Sequence, residues 1–198
     1  MHCPTSAPPR AETRRRKVTN AARKLFAAKG FHNTGMAEIA IASEVHVGQI
    51  YRDFPCKEAI VAAITEADFA TFVDTEALRL AVEQEDRTSV LVAIESLFEP
   101  SPCEETMPEI MAEAARNPRI AEIVGQLDAR FRATLARALA VFAPGDAMAT
   151  RREDVAELIM VLVIGMCQRA VSGVTLSDPI RAIVIREIDS LAREADAG

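Results

Sequence analysis

Residues 34–57 read TGMAEIAIASEVHVGQIYRDFPCK, and this stretch decides the fold. It predicts a short helix, a tight turn, a second short helix and a stop at Pro55. Gly35 is placed to N-cap the first helix, with Glu38 three residues on to close a capping box. Met36, Ile39 and Ala40 make a small apolar face at i, i+3, i+4. Residues 43–46 form the turn. The second helix, about 47–53, sets Val47, Ile50 and Phe54 on one side and His46, Gln49 and Arg52 towards another. Such a pair is a helix-turn-helix, whose second helix enters the major groove of DNA.

The flanks agree. Residues 12–29 predict a longer helix with Val18, Ala22, Leu25 and Phe26 as its stripe. Gly30 ends it, and Phe31 folds back on Phe26. After Pro55 another helix opens at Lys57, running past Ile60, Ile64, Phe69 and Phe72 to about residue 80. Lys57 and the free N–H groups of that first turn form an anion site suited to a phosphate.

In order and spacing, AARKLFAAKGFHNTG (21–35), MAEIA (36–40) and VGQIYRDFPCKEAI (47–60) resemble the DNA-binding half of the tetracycline-repressor (TetR) family. The resemblance implies that Tyr51 contacts a phosphate and packs the reader. It implies backbone contacts at Thr34 and Lys57, close approach at Gly48 and a base-facing Gln49, which can pair bidentately with adenine. His46, Val47 and Arg52 complete the expected DNA-facing set. The chain departs from the family where Glu44 replaces a usual glycine in a turn that often needs positive φ. His46 replaces a serine cap, Val47 a lysine, Asp53 a histidine and Cys56 a serine cap. Asp53 is expected to repel a phosphate.

Charge is split unevenly. Residues 1–58 carry ten Lys/Arg against five Asp/Glu, and the remainder thirteen against twenty-four, within a net charge of −6. The segment holding the helix-turn-helix is thus the basic one, as phosphate neutralisation requires. Residues 1–11 read as a disordered tail, followed by a DNA-binding domain to residue 56 and a regulatory and dimerisation domain over 57–198. Arg10, Arg14, Arg15, Arg16 and Lys17 read either as a solvated helix start or as an arm reaching backbone or minor groove.

Beyond residue 83 the punctuation predicts further helices near 86–98, 104–116, 118–142, 150–172 and 178–194, for about nine in an all-α chain. Asn117-Pro118 is a cap with an N1 proline, and Thr150-x-x-Glu153 is a capping box. MPEIMAEAARNPRIAEIV (107–124) resembles regulatory domains of the AcrR-like branch of the same family. That resemblance implies a ligand pocket between helices, with Phe69, Phe72, Phe98, Met107, Met111, Leu127, Phe131 and Met160 as candidate lining. It also implies a two-fold four-helix interface from the last two helices, with Leu158, Leu162, Ile180, Val184, Ile188 and Leu191 as candidates. Ordinary core packing is the competing reading of both sets.

No enzyme motif is present: the histidines lack helical-spacing acidic or thiol partners, and no glycine-rich phosphate loop occurs. No cofactor or metal is expected. Cys3, Cys56, Cys103 and Cys167 show no CxxC spacing, and a reducing cytosol is the expected compartment. A thiol switch at Cys56 or Cys167 is the alternative from another class. The longest apolar run, residues 158–167, is too short to span a bilayer. The expected protein is a cytoplasmic, homodimeric DNA-binding regulator. It is most simply a repressor released from a palindromic operator by a small apolar or amphipathic effector, with a ligand-free activator as the other reading. The acidic balance of residues 59–198 favours a neutral or cationic effector.

Overall fold

The computed structural model describes residues 10–72, 75–99, 106–170, 172–174 and 178–197. Among them there are ten α-helices and no strand. The reading head is α1 (Arg10–Lys29), α2 (Met36–Ser43) and α3 (Val47–Asp53). Then follow α4 (Lys57–Phe72), α5 (Thr75–Glu83), α6 (Arg87–Ser96), α7 (Met107–Ala114), α8 (Pro118–Leu139), α9 (Ala149–Ala170) and α10 (Asp178–Ala197).

Local chemistry sets several boundaries. Gly30 stops α1 at φ 83°, its N–H donating to the Phe26 carbonyl at 2.9 Å. The Phe26 and Phe31 rings then meet with centroids 5.3 Å apart. Asn117 caps α8 by accepting from the N–H groups of Arg119 and Ile120. Glu44 takes the left-handed conformation at the end of α2, φ 56° and ψ 32°, and the next N–H, of Val45, returns to the Ala40 carbonyl.

Other boundaries differ from expectation. The helix expected from 57 to about 80 is described as α4 to Phe72 and α5 from Thr75, with residues 73 and 74 outside the described residues. Arg10 and Ala11, assigned to the tail, are already helical, while residues 1–9 lie outside the described residues. The box at Gly35 is mostly unused, because the Glu38 carboxylate turns to Lys29 across the helix pair. That lysine, before the Gly35 N–H, holds Glu38 below the usual carboxylate range. The box at Thr150 and Glu153 falls inside α9, which starts at Ala149 out of a 3₁₀ turn, Asp146–Met148. Arg152 ties down that corner by donating to the carbonyls of Ala143 and Gly145, each at 2.7 Å.

Two apolar cores form. The reader's core joins Val18, Ala22, Phe26, Phe31, Ile39, Ile50 and Phe54 to Ile60, Val61 and Ile64 of α4, and Ile110 of α7 and Ile120 of α8 close it. The second core gathers Phe69, Leu78, Val90, Ile94, Leu135, Leu139, Ile159, Val163 and the α10 stripe Val184, Ile188, Leu191. The expected division at residue 56/57 therefore cuts a core: α4 serves the reader as far as Ile64 and the regulatory half from Phe69.

α1 is clamped to α3 by charge as well as packing. The Arg14 guanidinium grips the Asp53 carboxylate at 2.6 and 2.9 Å, and Arg15 donates to the Asp53 carbonyl at 2.8 Å. Arg15 also lies 4.3 Å over the Phe54 ring. Asp53 thus braces the recognition helix and is not left to repel a phosphate. Two residues read as a possible free arm are spent on the same brace.

Two expected outcomes follow from these local constraints. Replacing Glu44 with glycine removes an L-residue from the left-handed region, worth about 1 kcal/mol, and raises the thermal midpoint by about 2–4 °C. A calorimetric scan of Glu44→Gly that shows a lower midpoint than wild type contradicts this. The Arg14 hydrogen bond holds Asp53 below the usual carboxylate range, against the opposing effect of burial, with the charges of Arg14, Arg15 and Arg52 adding to it. A depressed folded pKa stabilises above the unfolded value of about 3.9 and is lost as pH falls through the folded value. The stability gap between wild type and Asp53→Asn in denaturant melts is therefore full at pH 7 and narrows below about pH 4. A gap unchanged down to pH 2 contradicts the clamp.

Candidate functional site

α3 is anchored by one side and displays the others. Ile50 is buried, and Phe54 just beyond it is buried too, while His46, Val47, Gly48, Gln49, Tyr51 and Arg52 are exposed. Tyr51 is 53% exposed, so core packing does not account for it. The six exposed residues lie together on one short helix and its N-cap, His46. A Cβ at Gly48 would meet only the His46 ring, at an ordinary 3.8 Å. Nothing within the chain demands glycine there, which leaves room for what approaches from outside.

Two expected phosphate contacts are otherwise engaged. Thr34 is 1% exposed, and its hydroxyl donates to the Gly30 carbonyl at 2.9 Å. Its side chain locks the α1–α2 turn and does not reach the surface. The Lys57 ammonium donates to the Phe31 carbonyl at 2.6 Å and sits 4.3 Å over the Phe31 ring. The same residue's N–H donates to the Glu109 carboxylate of α7 at 2.8 Å. Four residues on, Glu113 is buried, held by Arg116 at 2.6 Å and facing His32 at 3.7 Å. The junction of reader and regulatory half is thus a set of carboxylates and one lysine around the 30–33 turn.

α7 has a second face. Met107 and Met111, one turn apart, look into a cavity of about 380 Å³ bounded by α4, α7, α8 and α9. Phe69, Leu127, Phe131 and Met160 line it, and Val124, Val163, Ile164 and Cys167 add to the apolar wall. The Phe69 and Phe131 rings pack edge to face, with centroids 5.8 Å apart. The polar side chains in the lining are Asp68, Asp128 and Gln168, with no Lys, Arg or His among them. Asp68 is paired with Arg23 of α1, and Asp128 with Arg132 one turn along at 3.1 Å. Phe98 does not line this cavity: it faces a separate groove between α6 and α10. The Phe72 side chain lies outside what is described.

The expected interface residues also divide. Val184, Ile188 and Leu191 are 2%, 1% and 0% exposed within one subunit, so they belong to its own core and not to its surface. α10 spends that stripe on its own neighbours. Leu158, Leu162 and Ile180 are half-buried. Among the described residues, the large apolar side chains that α9 and α10 leave exposed away from the cavity are Val161 and Ile183. A stripe and its neighbour two positions away differ little in sequence, so periodicity found the helices but not the face.

The other candidate chemistries have these settings. Cys56 is half-buried beside Glu58, whose pKa is lowered against burial by its own N–H, by Cys56 and by Asn117. Cys167 is buried in the cavity wall, and Cys3 and Cys103 lie outside the described residues. Among the described residues no group of three or more His, Cys, Asp or Glu is placed to hold a metal ion, and no helix is long and apolar enough to cross a membrane. Sequence reasoning missed Arg23, Asp68, Glu109 and Glu113. The one local signal was in MPEIMAEA, where Met107/Met111 and Glu109/Glu113 make two stripes on one short helix.

Comparisons with known proteins agree with this geometry. Residues 18–64 match the model for bacterial regulatory proteins of the tetR family. Residues 87–193, more than half of the chain, match the C-terminal model of BetI-type transcriptional repressors. The HTH-type transcriptional regulator UidR of Escherichia coli is 30% identical over 118 residues, a match that spans 58% of this chain and 58% of that regulator. Among solved structures, Salmonella enterica GusR superposes with a TM-score of 0.69 at 23% identity, covering 94% of this chain and 98% of that one. A regulator from Saccharomonospora viridis, solved in complex with choline, gives 0.61 at 19% identity over 88% and 95%. The reader built on α3 and the helical half behind it thus have their counterparts in one family: the chain belongs to the tetR family of bacterial regulatory proteins, which are DNA-binding transcriptional regulators and not enzymes.

Proposed function

We propose that this regulator is a ligand-responsive repressor: its homodimer holds a palindromic operator and lets go when a small apolar or amphipathic effector enters the cavity behind α4. The observation that carries this reading is α4 itself. Its N-terminal turns are part of the reader's core, and its C-terminal turns supply Phe69 to the cavity. A body wedged against Phe69 therefore acts on a helix that cannot shift without moving the reader. The wall is almost wholly apolar, which suits an effector with a large apolar body. The effector must favour the DNA-free form, since equal affinity for both forms shifts nothing.

On the DNA side, His46, Val47, Gln49, Tyr51 and Arg52 are the contacting set, with Gln49 facing a base and Gly48 permitting close approach. The free phosphate contacts fall to Tyr51 and Arg52, because the Thr34 hydroxyl and the Lys57 ammonium are engaged. Members of the family are typically dimeric, and two readers one DNA turn apart require a two-fold partner. The surface proposed for it is Val161 and Ile183, with Leu158, Leu162 and Ile180 at its margin.

Two measurements test these assignments. Apolar compounds that raise the thermal midpoint should lower operator affinity in fluorescence anisotropy, and Met111→Trp, which fills the cavity, should abolish both effects together. Binders that stabilise the protein yet leave operator affinity untouched sink the repressor-release reading. For assembly, Val161→Asp should give folded monomers in sedimentation, with weakened operator binding. Val184→Asp buries an unpaired carboxylate inside the subunit, costs several kcal/mol and lowers the melting midpoint. A folded, dimeric Val161→Asp protein contradicts the interface.

A further inference from the structure

We propose that Asp68 is the counter-ion for a cationic centre on the effector, and that the effector works by taking Asp68 from Arg23. This rests on the cavity being the effector site. Asp68 is one of only three polar side chains in the lining, and both its oxygens are held by one guanidinium. Arg23 Nη1 reaches Oδ2 at 2.9 Å, Nη2 bonds Oδ1, and Nη1 is shared with the buried Thr106 hydroxyl at 3.2 Å. The pair is only 18% and 11% exposed. One face of this carboxylate thus belongs to the cavity and the other to α1.

A cation brought into the cavity by its apolar body competes for that carboxylate and repels Arg23. Arg23 has somewhere to go: it keeps Thr106 and can rehydrate at the rim. The other aspartate offers no such lever. Asp128 pairs with Arg132 on its own helix, so freeing it loosens nothing between elements. An anionic effector finds two carboxylates and no cation in the lining, and is disfavoured.

Release of Arg23 reaches α3 through a rigid rod. Arg23 and Arg14 lie nine residues apart on α1, about 13.5 Å along its axis, and Arg14 holds Asp53 at the end of the recognition helix. With Arg23 tied, α1 is fixed to α4 at the cavity. With it free, α1 loses its polar tie to α4 but keeps the apolar core it shares with Ile60, Val61 and Ile64, so it tilts on that core about the turn at Phe31, where Lys57 and Glu109 hold it. The tilt displaces α3 and alters the spacing of two readers on an operator.

The test uses the full-length protein, the permanent cation phenyltrimethylammonium and its neutral isostere tert-butylbenzene. Calorimetry should show Asp68→Asn binding the cation about tenfold more weakly, with the neutral probe within about twofold. Arg23→Gln, which removes the competitor, should instead bind the cation several-fold more tightly. Both variants should hold the operator less tightly than wild type without any probe, because each breaks the tie. General damage to the fold moves cation affinity the same way in both, so a loss in both overturns the proposal. Equal cation affinity in wild type and Asp68→Asn also overturns it, and leaves the cavity reading standing if Met111→Trp still blocks both probes. Probe binding that Met111→Trp does not touch removes the cavity reading and this inference with it.

Discussion

The backbone of Phe31 is held on both sides. Its N–H goes to Glu109 of α7 and its carbonyl to Lys57 of α4, while its ring packs between Phe26 and the Lys57 ammonium. Those partners are 78 and 26 residues away in the chain. A turn would ordinarily be the softest point between two helices, yet this one joins three elements of the tertiary structure. Gly30 makes it possible. Its φ of 83° turns the chain, and a Cβ there would sit 3.1 Å from the Glu109 carboxylate, tighter than ordinary contact. The orientation of α2 and α3 against the rest of the molecule depends on this grip.

The same economy appears in α4. A reading head with its own closed core could rotate on a linker. Here the core is completed by Ile60, Val61 and Ile64, and by Ile110 and Ile120 from α7 and α8. Close packing transmits displacement, since interiors have few voids to absorb it. The boundary between halves is therefore not a joint between domains but a change of neighbours along one helix, between Ile64 and Phe69.

Much of this was legible in the sequence where the cause is local. The helix-turn-helix spacing, the Gly30 stop, the Asn117 cap and the positive φ forced on Glu44 each follow from a few adjacent residues. Six of the eight proposed cavity residues surround one cavity, because apolar helix faces that meet must leave either core or pocket. What stayed hidden depends on which partner a face meets. Val184, Ile188 and Leu191 form a proper stripe, but periodicity does not tell a subunit's own core from another subunit's surface. Asp53 looked repulsive because its neighbours in sequence gave no sign of Arg14, 39 residues back. Lys57 looked like a phosphate ligand because a helix N-terminus advertises one, whereas its ammonium is taken up by the Phe31 carbonyl, 26 residues back.

Beside the apolar core, α1 has two polar ties to the half behind it, and they differ in kind. The one at Phe31 is made of backbone polar groups, buried rings and side chains outside the cavity lining, so a ligand has no atom to exchange there. The one at Arg23 ends on a carboxylate that the cavity shares. A lever needs one bearing that stays and one catch that can be lifted, and the sequence separates them along a single helix and the turn that follows. Net charge then takes on a local meaning. The chain is acidic overall, but Arg14, Arg15 and Arg23 are spent on contacts within the chain, positioning α3. The basic excess of the first 58 residues is only partly a surface for phosphates. The rest is the mechanical linkage that sets where the recognition helix stands.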